Sequence, residues 1–254
     1  GKKMKIKLIL LSLIFSLAHP ISADDHIELA AMEGLQCNYA EGKDMDDVMR
    51  VISQWNAFGD ENFGAPYNAW IFTPIYRSNS DYDFDFMFLG FTNTFKEMGR
   101  VQDDFQNGAS KIGARWDAVT ECAGQSMNLN VEVRAPQNPW EANGVGYASI
   151  SSCSFKDGKS MSDLEDNSKT WNKYLDGIGF EGGIWRWWPE TGSPTSITHD
   201  YWMVASFDSV EQYGQGRDAR FAAMMSDTRP EEIHNCDTPR LYKSTNIRLD
   251  QPES

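Results

Sequence analysis

Histidine is scarce in this sequence of 254 residues, which contains four. The four cysteines form no C-x-x-C pair, so the ligand spacing of a zinc site is absent and no metal site is predicted. A G-x-S-x-G nucleophile motif is missing, and Gly214-Gln215-Gly216 lies within a predicted helix, where a dinucleotide fingerprint does not occur. The sequence therefore contains no motif that identifies a reaction.

Basic residues are also in deficit, with 23 lysines and arginines against 37 acidic residues and a net charge of −14. Such a balance repels nucleic acid and anionic lipid, and we expect neither as a partner. The acidic residues are scattered along the chain, which is typical of a solvated surface.

Long apolar runs are confined to the N-terminus. Lys5 and Lys7 precede an apolar segment, Leu8–Leu17, and Ile21-Ser22-Ala23 supplies small residues for cleavage. This arrangement predicts a secretory signal peptide over residues 1–23, because its apolar segment is too short for a good membrane span. We expect a periplasmic or secreted protein that is not inserted in the membrane after cleavage.

An internal repeat is the main positive feature. Sliding the sequence by 116 positions superposes matching residues of two segments, each of about 115 residues. We predict a first unit over residues 24–134, a linker rich in turn residues over 135–148, and a second unit over 149–254. The superposed pairs are Cys37 and Cys153, Trp55 and Trp171, Met87 and Met203, and Phe91 and Phe207.

Each unit reads as strand, helix, strand, strand, helix, strand, the ferredoxin-like pattern. Asp44 and Ser160, each with an acid three residues later, predict capping boxes at equivalent helices. In the first unit we predict a leader over 24–35, a first strand over 36–40, a glycine-rich link over 58–64 and a last strand over 128–134.

This duplicated topology resembles the dimeric α+β barrel superfamily, which includes small monooxygenases and haem enzymes related to chlorite dismutase. The resemblance implies an α+β fold in which tandem ferredoxin-like (βαββαβ) units form an intramolecular dimeric α+β barrel. A single chain would then be a pseudo-dimer, and a monomer would be sufficient.

The cysteines are even in number, as expected of disulfides in an oxidising compartment. Four cysteines allow three pairings, and the repeat favours one bridge in each unit. The pairing is Cys37–Cys122 and Cys153–Cys236.

Aromatic residues in the second strand of each unit are candidates for the lining of a ligand pocket. They predict a small hydrophobic or aromatic ligand, and ordinary core packing is the alternative. The candidates are Tyr67, Trp70, Phe72, Trp185, Trp187 and Trp188.

Three polar residues beside these aromatics are candidates for catalysis. Arg186 lies between two tryptophans, where it could stack on a ring or bind an anionic group, or point to solvent. His199 and Tyr201 are predicted to share one face of a strand and could act as base and proton donor. No cofactor is favoured; a haem ligand would have to be His199 or His234.

The sequence thus favours an exported protein that binds a small molecule in an aromatic pocket. A cofactor-independent or haem-dependent oxidoreductase, similar to monooxygenases, is the first alternative. A structural or assembly protein without catalysis is the second.

Overall fold

The computed structural model describes residues 29–78, 83–138, 140–226 and 228–250. The predicted signal peptide, 1–23, lies outside these residues. Within the described ranges, no helix has the length and apolar character needed to cross a membrane.

The described residues of the first half form four strands and three helices. Helix α1 begins with the predicted capping box, because the Asp44 side chain accepts from the amides of Asp46 and Asp47 while the Asp47 side chain accepts from the Asp44 amide. The elements are β1 (Leu29–Tyr39), α1 (Met45–Asn62), β2 (Asn68–Tyr76), β3 (Phe86–Thr92), α2 (Phe95–Gly108), α3 (Ser110–Asp117) and β4 (Thr120–Arg134).

The second half follows a similar order. The predicted capping box at Ser160 and Asp163 is also present, here at a short 3-10 turn, Met161–Asp163, that leads into α4. The elements are β5 (Val145–Phe155), α4 (Leu164–Gly177), β6 (Ile184–Pro189), β7 (Tyr201–Phe207), α5 (Val210–Ser226), β8 (His234–Cys236) and β9 (Arg240–Arg248).

Eight of these strands form a closed antiparallel barrel in the order β7-β6-β4-β1-β3-β2-β9-β5, which a β5–β7 pairing closes. The short β8 extends β5 at one end. The first half contributes β4-β1-β3-β2 and the second β9-β5-β7-β6, so the two halves have the same internal strand order. They join through β4–β6 and β2–β9.

Side chains alternate between the barrel interior and the outer layer that the helices cover. Phe72 of β2 and Trp187 of β6 lie on strands that are not neighbours, yet their ring centroids are 6.3 Å apart, so they meet across the interior. Ile71, next to Phe72, packs outward against α1 and α2 in a separate cluster with Val48 and Met98. The protein therefore has an aromatic-rich interior and a second apolar core outside it.

Both predicted disulfides are confirmed. Cys37–Cys122 joins β1 to β4, and Cys153–Cys236 joins β5 to β8. Each closes a long loop, with separations of 85 and 83 residues. The chain-entropy treatment assigns such a loop about 4–5 kcal/mol of stabilisation.

The predicted shift of 116 positions between the two halves is wrong by one residue where the third strand of the first half, β3, is matched to the third strand of the second, β7. Cys37 of β1 pairs with Phe86, and Cys153 of β5 pairs with Tyr201. Phe86 and Tyr201 are therefore equivalent, at a shift of 115. Because a slip of one residue exchanges the two faces of a strand, the equivalent of Met203 is Phe88 and not Met87.

Several predicted boundaries are also wrong. The leader, 24–35, contains the start of β1 at Leu29; the link, 58–64, is largely the end of α1; and β4 begins at Thr120. Strand β5 begins at Val145, within the predicted linker, 135–148. The apolar pattern of β1 was obscured by Glu33, a charged residue that is nevertheless buried.

Candidate functional site

The helical layers over the two halves are packed differently. In the first half, α1 buries Val48, Val51 and Ile52 against the sheet. In the second half, α4 buries only Leu164 and α5 only Ala223. A cavity of about 530 Å³ lies between these two helices and the sheet. We call it the second-half cavity; its wall includes Ser168, Trp171, Phe180, Arg186, Met203, Tyr213, Arg217, Arg220, Arg229, Glu232, His234 and Asp237.

Arg186 of β6 provides the buried cation of this cavity. Its side chain points to the helix side of the sheet, while its neighbours Trp185 and Trp187 belong to the interior cluster. The residue is 6% exposed, and burial lowers the pKa of its guanidinium. Among the described residues no carboxylate pairs with it.

Two contacts hold the guanidinium in place. Nη2 donates a 3.0 Å hydrogen bond to the Ser168 hydroxyl, and the guanidinium carbon lies 5.8 Å from the centroid of the Tyr201 ring. The Nε atom is buried without a hydrogen-bond partner among the described residues. Arg186 is therefore positioned without being neutralised.

Further arginines make the cavity wall strongly basic. Arg217, Arg220 and Arg229 line it. The acidic residues of the wall are already paired: Glu232 lies 3.0 Å from Arg229 and 3.5 Å from Arg220. Asp237, in turn, pairs with Arg240 at 2.5 Å. In a protein of net charge −14, this is a local positive site.

His234 is the only histidine among the residues of the wall. Burial and, secondarily, the charge of Arg186 lower the pKa of its imidazole to about 4. The imidazole is therefore neutral at neutral pH, and its Nδ1 atom is buried without a hydrogen-bond partner among the described residues.

The structure brings together two of the three predicted catalytic residues. Arg186 and Tyr201 are neighbours, although Tyr201 is fully buried behind the cavity and is not part of its wall. Burial raises the pKa of the Tyr201 hydroxyl, and the charge of Arg186 opposes that shift.

His199 is not part of this group. The prediction that it shares a strand face with Tyr201 is wrong, because β7 begins at Tyr201. The His199 ring instead packs on Trp202, with centroids 4.7 Å apart, and does not line the second-half cavity.

The six predicted aromatic residues are divided among three environments. Trp70, Phe72, Trp185 and Trp187 belong to the cluster inside the barrel. Trp188 packs on Tyr201 outside the sheet of the second half, with ring centroids 4.6 Å apart. Tyr67 lies outside the sheet of the first half, where it lines a smaller cavity of about 270 Å³.

The arginines of α5 and the role of Ser168 were missed by the sequence reasoning. Ser168 interrupts the apolar stripe of α4, and the interruption faces Arg186. Arg217 and Arg220 are three residues apart, a spacing that places them on one side of a helix. These two signals together could have indicated a polar cavity under the helices.

Among the described residues, no group of three or more histidine, cysteine or acidic residues is arranged to hold a metal ion. No family model matches the sequence, and no curated protein matches it closely enough to count as a relative.

Solved structures do match the fold. The chlorite dismutase-like protein TA0507 is 14% identical, with a TM-score of 0.51 over 86% of this chain and 95% of that one. A monooxygenase-like protein from Fusobacterium nucleatum is 8% identical, with a TM-score of 0.48 over 88% of this chain and 94% of that one. Chlorite dismutase from Candidatus Nitrospira defluvii, in complex with imidazole, is 9% identical, with a TM-score of 0.46 over 86% and 91%. At these identities the likeness concerns the fold alone, and at that level the chain resembles the dimeric α+β barrel superfamily.

Proposed function

We propose that the protein binds a small organic anion with an apolar or aromatic body in the second-half cavity. The observation that carries the proposal is Arg186, a buried guanidinium on the cavity wall that no carboxylate in the described part of the chain neutralises. The volume of about 530 Å³ is within the range of small-molecule sites. Trp171, Phe180 and Tyr213 offer apolar surface for the body of the ligand.

The physical reason is the cost of burying an unpaired charge, which amounts to several kcal/mol. A carboxylate on the ligand would offset this cost and could form the two parallel hydrogen bonds that a guanidinium favours. The neighbouring arginines would attract the anion into the cavity.

Calorimetric titration with 2-naphthoate, and with 2-naphthamide as its uncharged counterpart, tests the proposal. We expect the carboxylate to bind about 10- to 100-fold more tightly, the difference that a hydrogen bond to a charged group makes. Arg186→Gln should remove the difference. Arg50→Gln, at an exposed arginine of α1, is the matched control and should preserve it. Equal binding of the two probes by the unaltered protein contradicts the proposal.

The second candidate function is that of a haem-dependent oxidoreductase, and the position of His234 on the cavity wall favours it. A neutral imidazole is the form that ligates haem iron, and His234 lies on the wall of a cavity that also presents arginines suited to propionate groups. The residues therefore fit haem, which would supply one-electron and oxygen chemistry. A Soret band that forms when the unaltered protein is reconstituted with haem, and that is lost in His234→Ala, supports this candidate. If the unaltered protein forms no Soret band, simple ligand binding or a cofactor-independent reaction remains. A purely structural role predicts that neither haem nor the naphthoate probe binds.

We also propose that the chain is a tandem duplication of ferredoxin-like units, as an intramolecular pseudo-dimer with units over 24–134 and 149–254. The identical strand orders, the equivalent capping boxes and the one disulfide in each half support it. Light scattering at increasing concentration tests the pseudo-dimer, and we expect a monomer throughout.

Export to the periplasm or the exterior is proposed as well, and the two disulfides support it because such bonds persist in oxidising compartments. Sequencing the N-terminus of the protein recovered from an expression host should find a start at Asp24. A start upstream of the apolar segment would contradict cleavage.

A further inference from the structure

The smaller cavity, of about 270 Å³, lies under the helices of the first half, in the place that the second-half cavity occupies in the other. We call it the first-half cavity. Its wall includes Glu33, Trp55, Phe63, Phe88, Trp116 and Asp117. Some of its other residues, such as Gln106, are exposed, so the cavity reaches the surface.

Glu33 of β1 provides the polar group of the first-half cavity and is 5% exposed. Its Oε1 accepts from the Tyr67 hydroxyl, and its Oε2 accepts from the side-chain amides of Gln102 and Gln125. Gln102 donates at 2.8 Å. An ionised carboxylate has about four acceptor positions, so these three donors leave one position free.

The basic residue that contacts the aromatic wall of this cavity, Arg248, is paired with other carboxylates. Its guanidinium carbon lies 5.9 and 5.4 Å from the ring centroids of Trp55 and Phe63. Its terminal nitrogens lie 2.8 Å from Asp60 and from Asp250.

The wall of the first-half cavity contains two acidic residues, Glu33 and Asp117, and no lysine, arginine or histidine. Among the described residues no cation forms an ion pair with Glu33. Its charge is therefore opposite to that of the second-half cavity, and the net charge of −14 adds to the attraction for cations.

The remaining wall is aromatic. The Trp55 ring meets those of Phe63 and Phe88 edge to face, with centroids 5.7 and 5.6 Å apart. The Trp116 ring also meets that of Phe88 edge to face, with centroids 5.9 Å apart. Aromatic faces attract ammonium groups, and a carboxylate beside them supplies the hydrogen-bond acceptor. A dry cavity of about 150 Å³ holds benzene, so about 270 Å³ holds a ring with a short side chain.

We propose that the first-half cavity is a second ligand site, which binds a small organic cation, namely a primary ammonium ion on an arylalkyl or alkyl body. The ammonium group bonds the free acceptor position of Glu33, and the body lies against Trp55, Phe88 and Trp116. This site is independent of anion binding in the other half.

The test uses 2-phenylethylamine as the cation and 2-phenylethanol as its neutral counterpart, in calorimetric titrations with the full chain at neutral pH. Quenching of tryptophan fluorescence is a second readout, since Trp55 and Trp116 are both in the wall. We expect the amine to bind about tenfold or more tightly than the alcohol, as charge-assisted hydrogen bonds do.

Glu33→Gln keeps the shape of the side chain and removes its charge, so it should abolish the preference for the amine while the alcohol still binds. Glu121→Gln, at an exposed glutamate of β4, is the matched control and should retain the preference. Equal affinities in the unaltered protein, binding of neither probe, or a preference that survives Glu33→Gln each overturn the proposal.

A second variant does not touch the polar cluster. Gly113 of α3 lines the cavity, and a Cβ placed there meets no heavy atom within 4 Å apart from its chain neighbours and the backbone of its own helix. Gly113→Leu should therefore fold, and we expect it to weaken both the amine and the alcohol by occupying space in the cavity. Unchanged affinities for both probes would show that they bind elsewhere and would overturn the assignment.

Discussion

Arg186 and Ile71 occupy equivalent positions in the two halves of the barrel. In the strand register, Arg186 lies opposite Met203 of β7, and Ile71 lies opposite Phe88 of β3. Phe88 and Met203 are themselves equivalent positions of the two halves. In the first half the position is filled by an aliphatic side chain of the outer core, and in the second by a buried guanidinium beside a cavity. The same place in the fold thus serves packing in one half and recognition in the other.

The first prediction follows from this relationship. Arg186→Ile removes a buried, unneutralised charge, so we expect the free energy of unfolding to rise by about 1–3 kcal/mol. Binding of 2-naphthoate should fall to the level of 2-naphthamide. Urea unfolding and calorimetric titration measure the two effects. A variant that is less stable, yet binds naphthoate normally, would contradict both expectations.

Glu33 gives a dependence of stability on pH. Burial raises the pKa of its carboxyl above the ordinary value, against the opposing hydrogen bonds of Tyr67, Gln125 and Gln102. Since protons bind the folded state more strongly, this group contributes stability at low pH that is lost as pH rises through the raised pKa.

Glu33→Gln imitates the protonated form, so its melting temperature relative to the unaltered protein should increase between pH 4 and pH 8. Thermal unfolding across that range measures the difference, with Glu121→Gln as the comparison. A difference that is constant with pH would show that Glu33 does not titrate in this way.

His234 has the opposite dependence. Its pKa of about 4 in the folded protein lies below the ordinary value of 6.5. The unfolded chain therefore binds the proton first, and stability present above pH 6.5 is lost as pH falls toward 4. The loss amounts to about 2–3 kcal/mol.

His234→Asn should flatten this acid-side decline in urea unfolding between pH 7 and pH 4.5. His199→Asn should have a smaller effect, because His199 is less buried. If the loss of stability toward acid pH is unchanged in His234→Asn, groups other than His234 cause it.

The two disulfides should differ in their effect on binding. Replacing either pair with alanine should cost about 2–5 kcal/mol of stability. Cys236 and Asp237, however, belong to the wall of the second-half cavity, while Cys37 and Cys122 do not. We expect the loss of Cys153–Cys236 to weaken naphthoate binding and the loss of Cys37–Cys122 to leave it unchanged, both measured by calorimetric titration below the unfolding transition. Equal weakening in the two variants would contradict this.

The order of the main strands and helices along each half and the disulfide pairing were accessible from the sequence because both depend on pattern. The capping boxes are short signals with fixed spacing, and the cysteines recur at equivalent places. The one-residue difference between the halves was not accessible, since Met87 and Met203 match as letters although they face opposite sides of the sheet.

The cavities were harder to predict, because a cavity depends on how far a helix stands from a sheet. The aromatic residues that indicated a pocket, such as Phe72 and Trp187, fill the interior of the barrel. The residues that distinguish the two cavities are charged, namely Glu33 and Arg186. From the local sequence alone, such side chains are expected to be exposed to solvent. Burial of each is set by strands and helices distant in the chain.

Closure of the barrel through β4–β6 and β2–β9 has a consequence for the separated halves. A fragment ending at Arg134 would present two unsatisfied strand edges, those of β2 and β4, and so would its counterpart from the second half. Two such fragments have matching edges, and annealing them in solution would restore a complete ring of hydrogen bonds without a peptide connection.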